Sequence, residues 1–109
     1  MISMTIKCGV DIVQNKRIEK NLTNPDFLMK VFLPIELKTH EKQKLPGIFA
    51  LKEAAMKAVG KKMNWLDIEV IAKSGKKPEI KFSGKKFKNI DASVSHDGEY
   101  TVGMVVGEA

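Results

Sequence analysis

The 109-residue chain holds a single cysteine, Cys8, so no internal disulfide can form and stability has to come from packing. Cys8 lies in an apolar run and is expected as a small core residue. No stretch approaches the ~20 apolar residues of a membrane span. No charged-then-apolar leader precedes a cleavage site, and the expectation is a cytoplasmic protein. Aromatics are few: one Trp, one Tyr and five Phe, scattered and without the stacking platform of a nucleic-acid binder. His40 has no Cys or His near it at ligand spacing, so nothing supports a metal site there. Internal repeats and low-complexity tracts are absent. Acidic residues are in deficit, thirteen against nineteen basic ones, and the resulting +6 suits an acidic partner, a nucleic acid or a polyphosphate ligand. What remains, 43% apolar and 29% charged, describes one globular domain over residues 1–109.

The pattern alternates between strand and helix signals. Thr5 to Val10 reads as a strand running into Asp11, with Gly9 marking a bulge or a close backbone approach. Gln14 to Leu22 is a short polar helix or turn, and Asn24-Pro25-Asp26 opens a second helix over Phe27 to Phe32 that Leu33-Pro34 ends. Ile35 to Lys38 begins a further helical piece, followed by a polar stretch to Lys44. Leu45-Pro46-Gly47 reads as a break before the central helix, and Gly60 closes that helix as its C′ residue. The second half is β-rich: Trp65 to Ile71 and Glu79 to Phe82 alternate, a turn at Lys73 to Pro78 separates them, and Ser83 to Lys86 is a loop. Ile90 to Ser95 and Tyr100 to Val106 flank Asp97-Gly98, a strong hairpin signal that would place His96 opposite Glu99. Ser93 and Ser95 fall on the face away from Val94 and His96.

The central helix, Phe49 to Ala58, is apolar nearly all round, broken by Lys52, Glu53 and Lys57. A buried helix forces a question on Glu53, because an uncompensated buried carboxylate costs several kcal/mol. Two partners are open: Lys57 at i+4, the ordinary helix pair, or a metal ion, with Lys57 then facing a ligand anion. Asp11, between Val10 and Ile12, poses the same question. It reads equally as a cap or turn residue ahead of the next segment and as a metal or phosphate-site carboxylate at a strand end.

Gly9-Val10-Asp11, then Phe49-Ala50-Leu51-Lys52-Glu53-Ala54 with Lys57-Ala58-Val59-Gly60, then Ser93-Val94-Ser95-His96 before a terminal strand, resemble in that order the 4'-phosphopantetheinyl transferases. Among these the chain is most similar to the short holo-[acyl-carrier-protein] synthase type. Lys16-Arg17-Ile18-Glu19, Asp67-Ile68-Glu69-Val70 and Gly75-Lys76-Lys77-Pro78 extend the match over most of the chain. The resemblance implies an α+β fold, an antiparallel sheet packed on a long buried helix with short helices besides. It implies transfer of 4'-phosphopantetheine from coenzyme A to a serine of an apo-acyl carrier protein, releasing adenosine 3',5'-bisphosphate. It assigns Asp11 and Glu53 to magnesium, a hard ion content with one or two carboxylates plus waters and phosphates. Lys57, Gly60, Ser95 and His96 become coenzyme A contacts, and Lys16, Arg17 and Lys20 a docking surface for an acidic carrier. Lys57 counts with Asp11 and Glu53 in the catalytic set, with Glu53 or a water beside the ion as candidate base. Since longer relatives carry two such halves around one site, this single half implies a homo-oligomer, by resemblance a homotrimer, with sites at subunit interfaces.

Some positions depart from the family pattern: Ile48 and Lys30 stand where arginines are usual, and Lys61-Lys62 where Thr-Gly is. Lys42, Lys44, Lys61 or Lys62 are then the candidates for the missing phosphate contacts. Two rivals remain on the residues alone. One is a small basic nucleic-acid-binding module, suggested by +6 and the Lys76-Lys77 and Lys85-Lys86 loops. The other is a silent relative that binds coenzyme A or a carrier without transferring. His96, without the family pattern, reads as a hairpin-end histidine bonded to Glu99.

Overall fold

Strand β1 (Ile6–Gln14) sets the two sides of the molecule: Gly9, Asp11 and Val13 turn inward, while Ile6, Cys8, Val10 and Ile12 turn out. In this computed structural model, which describes residues 4–84 and 87–109, three short helices follow. They are α1 (Asn15–Glu19), α2 (Pro25–Val31) and α3 (Pro34–Thr39), and they lead to the long helix α4 (Leu45–Val59). Strands β2 (Ile68–Ile71) and β3 (Glu79–Phe82) form a small antiparallel pair. Strands β4 (Lys88–Asp97) and β5 (Tyr100–Glu108) join β1 in an antiparallel sheet of order β1-β5-β4. The architecture is the α+β arrangement implied above, one sheet packed on one buried helix. Lys85 and Lys86, assigned to a basic loop, lie outside the described residues.

Helix α4 crosses the inner sheet face diagonally. Its first turn meets β4, where Gly47 faces Val94; its middle lies over Gly103 of β5, and its last turns over Gly9 of β1. A Cβ on Gly103 would stand 2.8 Å from the Ala50 carbonyl carbon, and one on Gly9 would overlap the Ala54 carbonyl oxygen and stand 2.6 Å from the Ala58 amide nitrogen. Gly9 is thus a close approach and not a bulge. Small residues on the helix, Ala50, Ala54, Ala55 and Ala58, complete the contact and are wholly or almost wholly buried.

Several local expectations change. Cys8 is exposed on the outer face, because the inward positions of β1 are the odd-numbered ones. Asp11 is no cap: it sits mid-strand, paired with Gly103, facing α4. The helix begins at Leu45, since Pro46 lies in the first turn, where its missing N–H has no helical acceptor to lose. Gly60 does close it, at φ 86° with its amide on the Met56 carbonyl. Residues Trp65–Asp67 form a 3-10 turn rather than a strand, capped by the Asn64 side chain. The hairpin turn falls on Gly98 and Glu99, with Asp97 paired to Tyr100 and His96 to Thr101. Thr101, Gly103 and Val105 must face α4, which fixes that register, and Gly98 at φ 57° takes the first turn position, as type II′ hairpins require.

Between α4 and the short helices lies a pair invisible in the sequence. Lys52 and Glu36 are both fully buried, with Nζ 2.6 Å from Oε1. The ammonium also donates to the carbonyls of Val31 (2.8 Å) and Trp65 (3.2 Å), and the carboxylate accepts the amides of Leu33 and Val70. One pair thus ties α2, α3, β2 and the Trp65 turn to α4. Burial pulls the Lys52 pKa down, opposed by its bond to Glu36. Phe27 and Trp65 pack on Phe49 in the same region, so three of the scattered aromatics meet beside α4. His40, on the chain after α3, bridges the Glu36 carbonyl and the Ala72 amide. Lys52→Met should cost about 3–5 kcal/mol by leaving Glu36 an unpaired buried charge, and adding Glu36→Gln should recover part of it. Denaturant midpoints measure both, and a loss below about 1 kcal/mol would remove the pair from its structural role.

Candidate active site

The diagonal of α4 places its C-terminal half over Asp11. Lys57 Nζ donates to Asp11 Oδ1 at 3.2 Å and to the Val10 carbonyl at 3.1 Å. Asp11 is 9% exposed, and its Oδ2 is buried with no hydrogen-bond partner among the described residues. Glu53 sits half-buried on α4, one turn before Lys57. Burial pushes its pKa up and the Asp11 charge pushes the same way, while Lys57 and Arg17 oppose. The two carboxylates are therefore close enough to feel each other. Among the described residues no ion pair joins Glu53 to Lys57, so the helix pair open from the sequence does not form. Physically, the more deeply buried Asp11 has less water to solvate its charge and takes the ammonium, leaving Glu53 partly hydrated.

This arrangement fits a hard divalent ion. Asp11 keeps a buried carboxylate oxygen without a partner among the described residues, and the Glu53 carboxylate lies near enough for the Asp11 charge to act on it. Magnesium characteristically accepts so few protein ligands, filling its octahedron with water and substrate phosphate.

Glu53, Lys57 and Gly60 line a cleft of about 850 Å³ with Lys30, Lys61 and Lys62, its apolar wall including Trp65. A second cleft of about 800 Å³ opens at the other end of α4, lined by Lys44, Lys76, Lys77 and His96 among others. The proposed coenzyme A contacts are thus divided within one chain. Lys57 and Gly60 share the carboxylate cleft; His96 belongs to the other. Ser95 is exposed on strand β4 opposite Val102, on the sheet face away from α4. His96 does not bond Glu99, whose carboxylate takes Lys16 at 3.1 Å.

Helix α1 stands beside the carboxylates. Its Ile18 is buried, its Asn15 amide bonds the Glu99 carbonyl at 2.7 Å, and Thr101 Oγ1 donates to Asn15 Oδ1. Arg17 lies with its guanidinium carbon 6.0 Å from the centre of the Phe49 ring and its charge within reach of Glu53, which the sequence reading missed. Lys16 is engaged by Glu99, and Lys20 is exposed at the end of the helix. Lys52 was also missed as a structural centre. Its signal was a lysine inside an otherwise apolar arc.

Comparison with known proteins bears on the family and the fold. The chain is 42% identical over 115 residues to a holo-[acyl-carrier-protein] synthase of Finegoldia magna, covering 94% of this chain and 96% of that protein. The crystal structure of a holo-(acyl-carrier-protein) synthase from Bacillus anthracis in complex with CoA (3',5'-ADP) superposes with a TM-score of 0.82 at 32% identity, covering 98% and 99% of the two chains. The Helicobacter pylori holo-[acyl-carrier-protein] synthase in complex with coenzyme A gives 0.79 at 31%, covering 92% and 98%. Residues 7–105 match the family described as the 4'-phosphopantetheinyl transferase superfamily, and the chain belongs to that family.

Proposed function

We propose that this chain transfers 4'-phosphopantetheine from coenzyme A to a serine hydroxyl of an apo-acyl carrier protein, with magnesium held by Asp11 and Glu53. The serine oxygen forms a new bond to the transferred phosphorus, the bond to the 5'-phosphate of adenosine 3',5'-bisphosphate breaks, and the serine proton leaves for a base. The observation that carries this reading is Asp11, held by Lys57 on one oxygen with the other buried and unused, its charge acting on Glu53 in a chain of this family.

When bound, the ion would neutralise charge on the diphosphate and its leaving group. Lys57, on a flexible stem beside the carboxylates, offers a point charge to a phosphate oxygen. Glu53 is the acidic residue among the side chains lining its cleft, which favours it as the acceptor of the serine proton. Lys30, Lys61 and Lys62 surround that carboxylate with positive charge suited to phosphates. Lys16, Arg17 and Lys20, on the adjacent α1, suit an acidic carrier, and Arg17 is the member nearest the reacting groups by its charge coupling to Glu53. The nucleic-acid reading loses support because Phe27, Phe49 and Trp65 pack on one another and Phe82 packs on Phe87, leaving Tyr100 as the exposed ring among the described residues. No helix among the described residues is long and apolar enough to cross a membrane, and cytoplasmic service of fatty acid biosynthesis is the cellular role that suits the reaction.

The active assembly is a homotrimer in this reading. The outer sheet face exposes Ile6 (74%), Val10, Ile12, Tyr100 and Met104 side by side, an apolar surface that a second copy would cover. Division of the ligand contacts between two clefts supports the same conclusion, since a neighbouring subunit can bring its His96 side to the carboxylate side.

Mass spectrometry of an apo-carrier incubated with coenzyme A and magnesium should show addition of one phosphopantetheine, and Glu53→Gln or Asp11→Asn should lower the rate by at least about 100-fold with the fold intact. Near wild-type transfer by either variant would remove the metal assignment. Ile12→Lys should convert trimer to monomer by light scattering; a trimer that survives it uses another face. The raised Glu53 pKa gives a pH test. A carboxyl whose folded pKa lies above its unfolded value contributes stability below the unfolded pKa, and loses it as pH rises through the folded one. Without divalent ions Glu53→Gln should therefore melt higher than wild type at neutral pH, the difference fading below about pH 4.5. A constant difference across that range would assign the effect to something other than charge.

A further inference from the structure

We infer that Lys57 is a built-in occupant of the ion site: its ammonium sits on the carboxylate that would hold the divalent ion, so the two cations compete for Asp11 until a substrate phosphate draws Lys57 away. The inference rests on the metal reading above and adds to it a coupling between ion and phosphate.

Three observations carry it. Lys57 reaches across to β1, bonding both Asp11 Oδ1 and the Val10 carbonyl, although Glu53 lies one turn away on its own helix. It therefore serves Asp11 in this structure. The Asp11 side chain is 10% exposed, and without Lys57 it would be a buried charge with neither counter-ion nor hydrogen bond from another side chain. Finally, the Lys57 side chain is 56% exposed and lines the open cleft, so its four-carbon stem can swing outward without disturbing the core.

With Lys57 on one oxygen of Asp11, an ion entering at the other lies within a few ångströms of the ammonium, and the two repel each other in a partly desolvated site. An entering ion therefore weakens the hold of Asp11 on the ammonium, and a phosphate that takes the ammonium clears the carboxylate. By linkage each raises the affinity for the other. Lys57 thereby keeps Asp11 compensated and makes ion binding tighter once phosphate has taken the ammonium.

The test uses manganese(II) binding to the full-length protein without coenzyme A, followed by electron paramagnetic resonance of the free ion. Lys57→Met should bind roughly three- to tenfold tighter than wild type, the scale of one partly exposed ion pair. Lys61→Met removes a charge from the same cleft, and should change affinity by less than about twofold, since general electrostatics alone acts there. Asp11→Asn separates this inference from the reading beneath it. If Asp11→Asn binds manganese as wild type does, the carboxylates are not the site and the competition falls with them. If Asp11→Asn loses the ion while Lys57→Met binds no tighter than Lys61→Met, the metal site stands and the competition is overturned. A second measurement needs no variant fold: the side-chain ammonium signal of Lys57 in proton–nitrogen spectra should shift on saturation with magnesium, and an unmoved signal overturns the proposal.

Discussion

The close approach of one helix to one sheet governs this molecule. Helix α4 touches β5 and β1 backbone to backbone at Gly103 and Gly9, with alanines on the helix side. Ordinary side chains at these points would hold the layers near the usual separation of packed secondary structure and leave Asp11 remote from α4. With nothing but hydrogen on Gly9, the strand lies close enough for Lys57 to bond both the Val10 carbonyl and Asp11. Chemistry at the site is thus a consequence of side chains that are missing two residues away. An added methyl would force the layers apart and separate the charges along with them.

The second constraint is the Glu36–Lys52 pair. The lysine next to Glu53 in sequence turns into the domain and fastens the short helices and the Trp65 turn. Neighbouring residues on one helix therefore divide the work: Lys52 fixes the scaffold that walls the cleft, and Glu53 faces into it. Buried ionic groups of this kind contribute more to a defined arrangement than to net stability, because desolvation consumes most of their attraction.

Much of this was readable from the residues. The apolar arc with Gly60 after it defined α4, Asn24-Pro25 defined the start of α2, and alternation defined β3, β4 and β5. Those signals are local and periodic. Contacts distant in sequence were not readable: Glu36 with Lys52, Asn15 with Thr101, and Lys57 preferring Asp11 to Glu53. Spacing along a helix offers Glu53 and Lys57 to each other, and nothing local reveals that a more deeply buried carboxylate competes. Cys8 and the hairpin register failed for a related reason, since which face of a strand is inner depends on the helix it meets. The carboxylates themselves stood out because acids in apolar surroundings demand a partner, and the family pattern named one.

The length of α4 has a bearing of its own. Fifteen residues at 1.5 Å each give a rod of ~22 Å, with one binding hollow at its head and another at its foot. The helix is a ruler between two clefts that a single chain cannot fold onto one another. Removing one turn would shorten that interval by about 5.4 Å and slide the acidic end off its strand. Within one chain, any change in the distance between the hollows has to come from the rod itself.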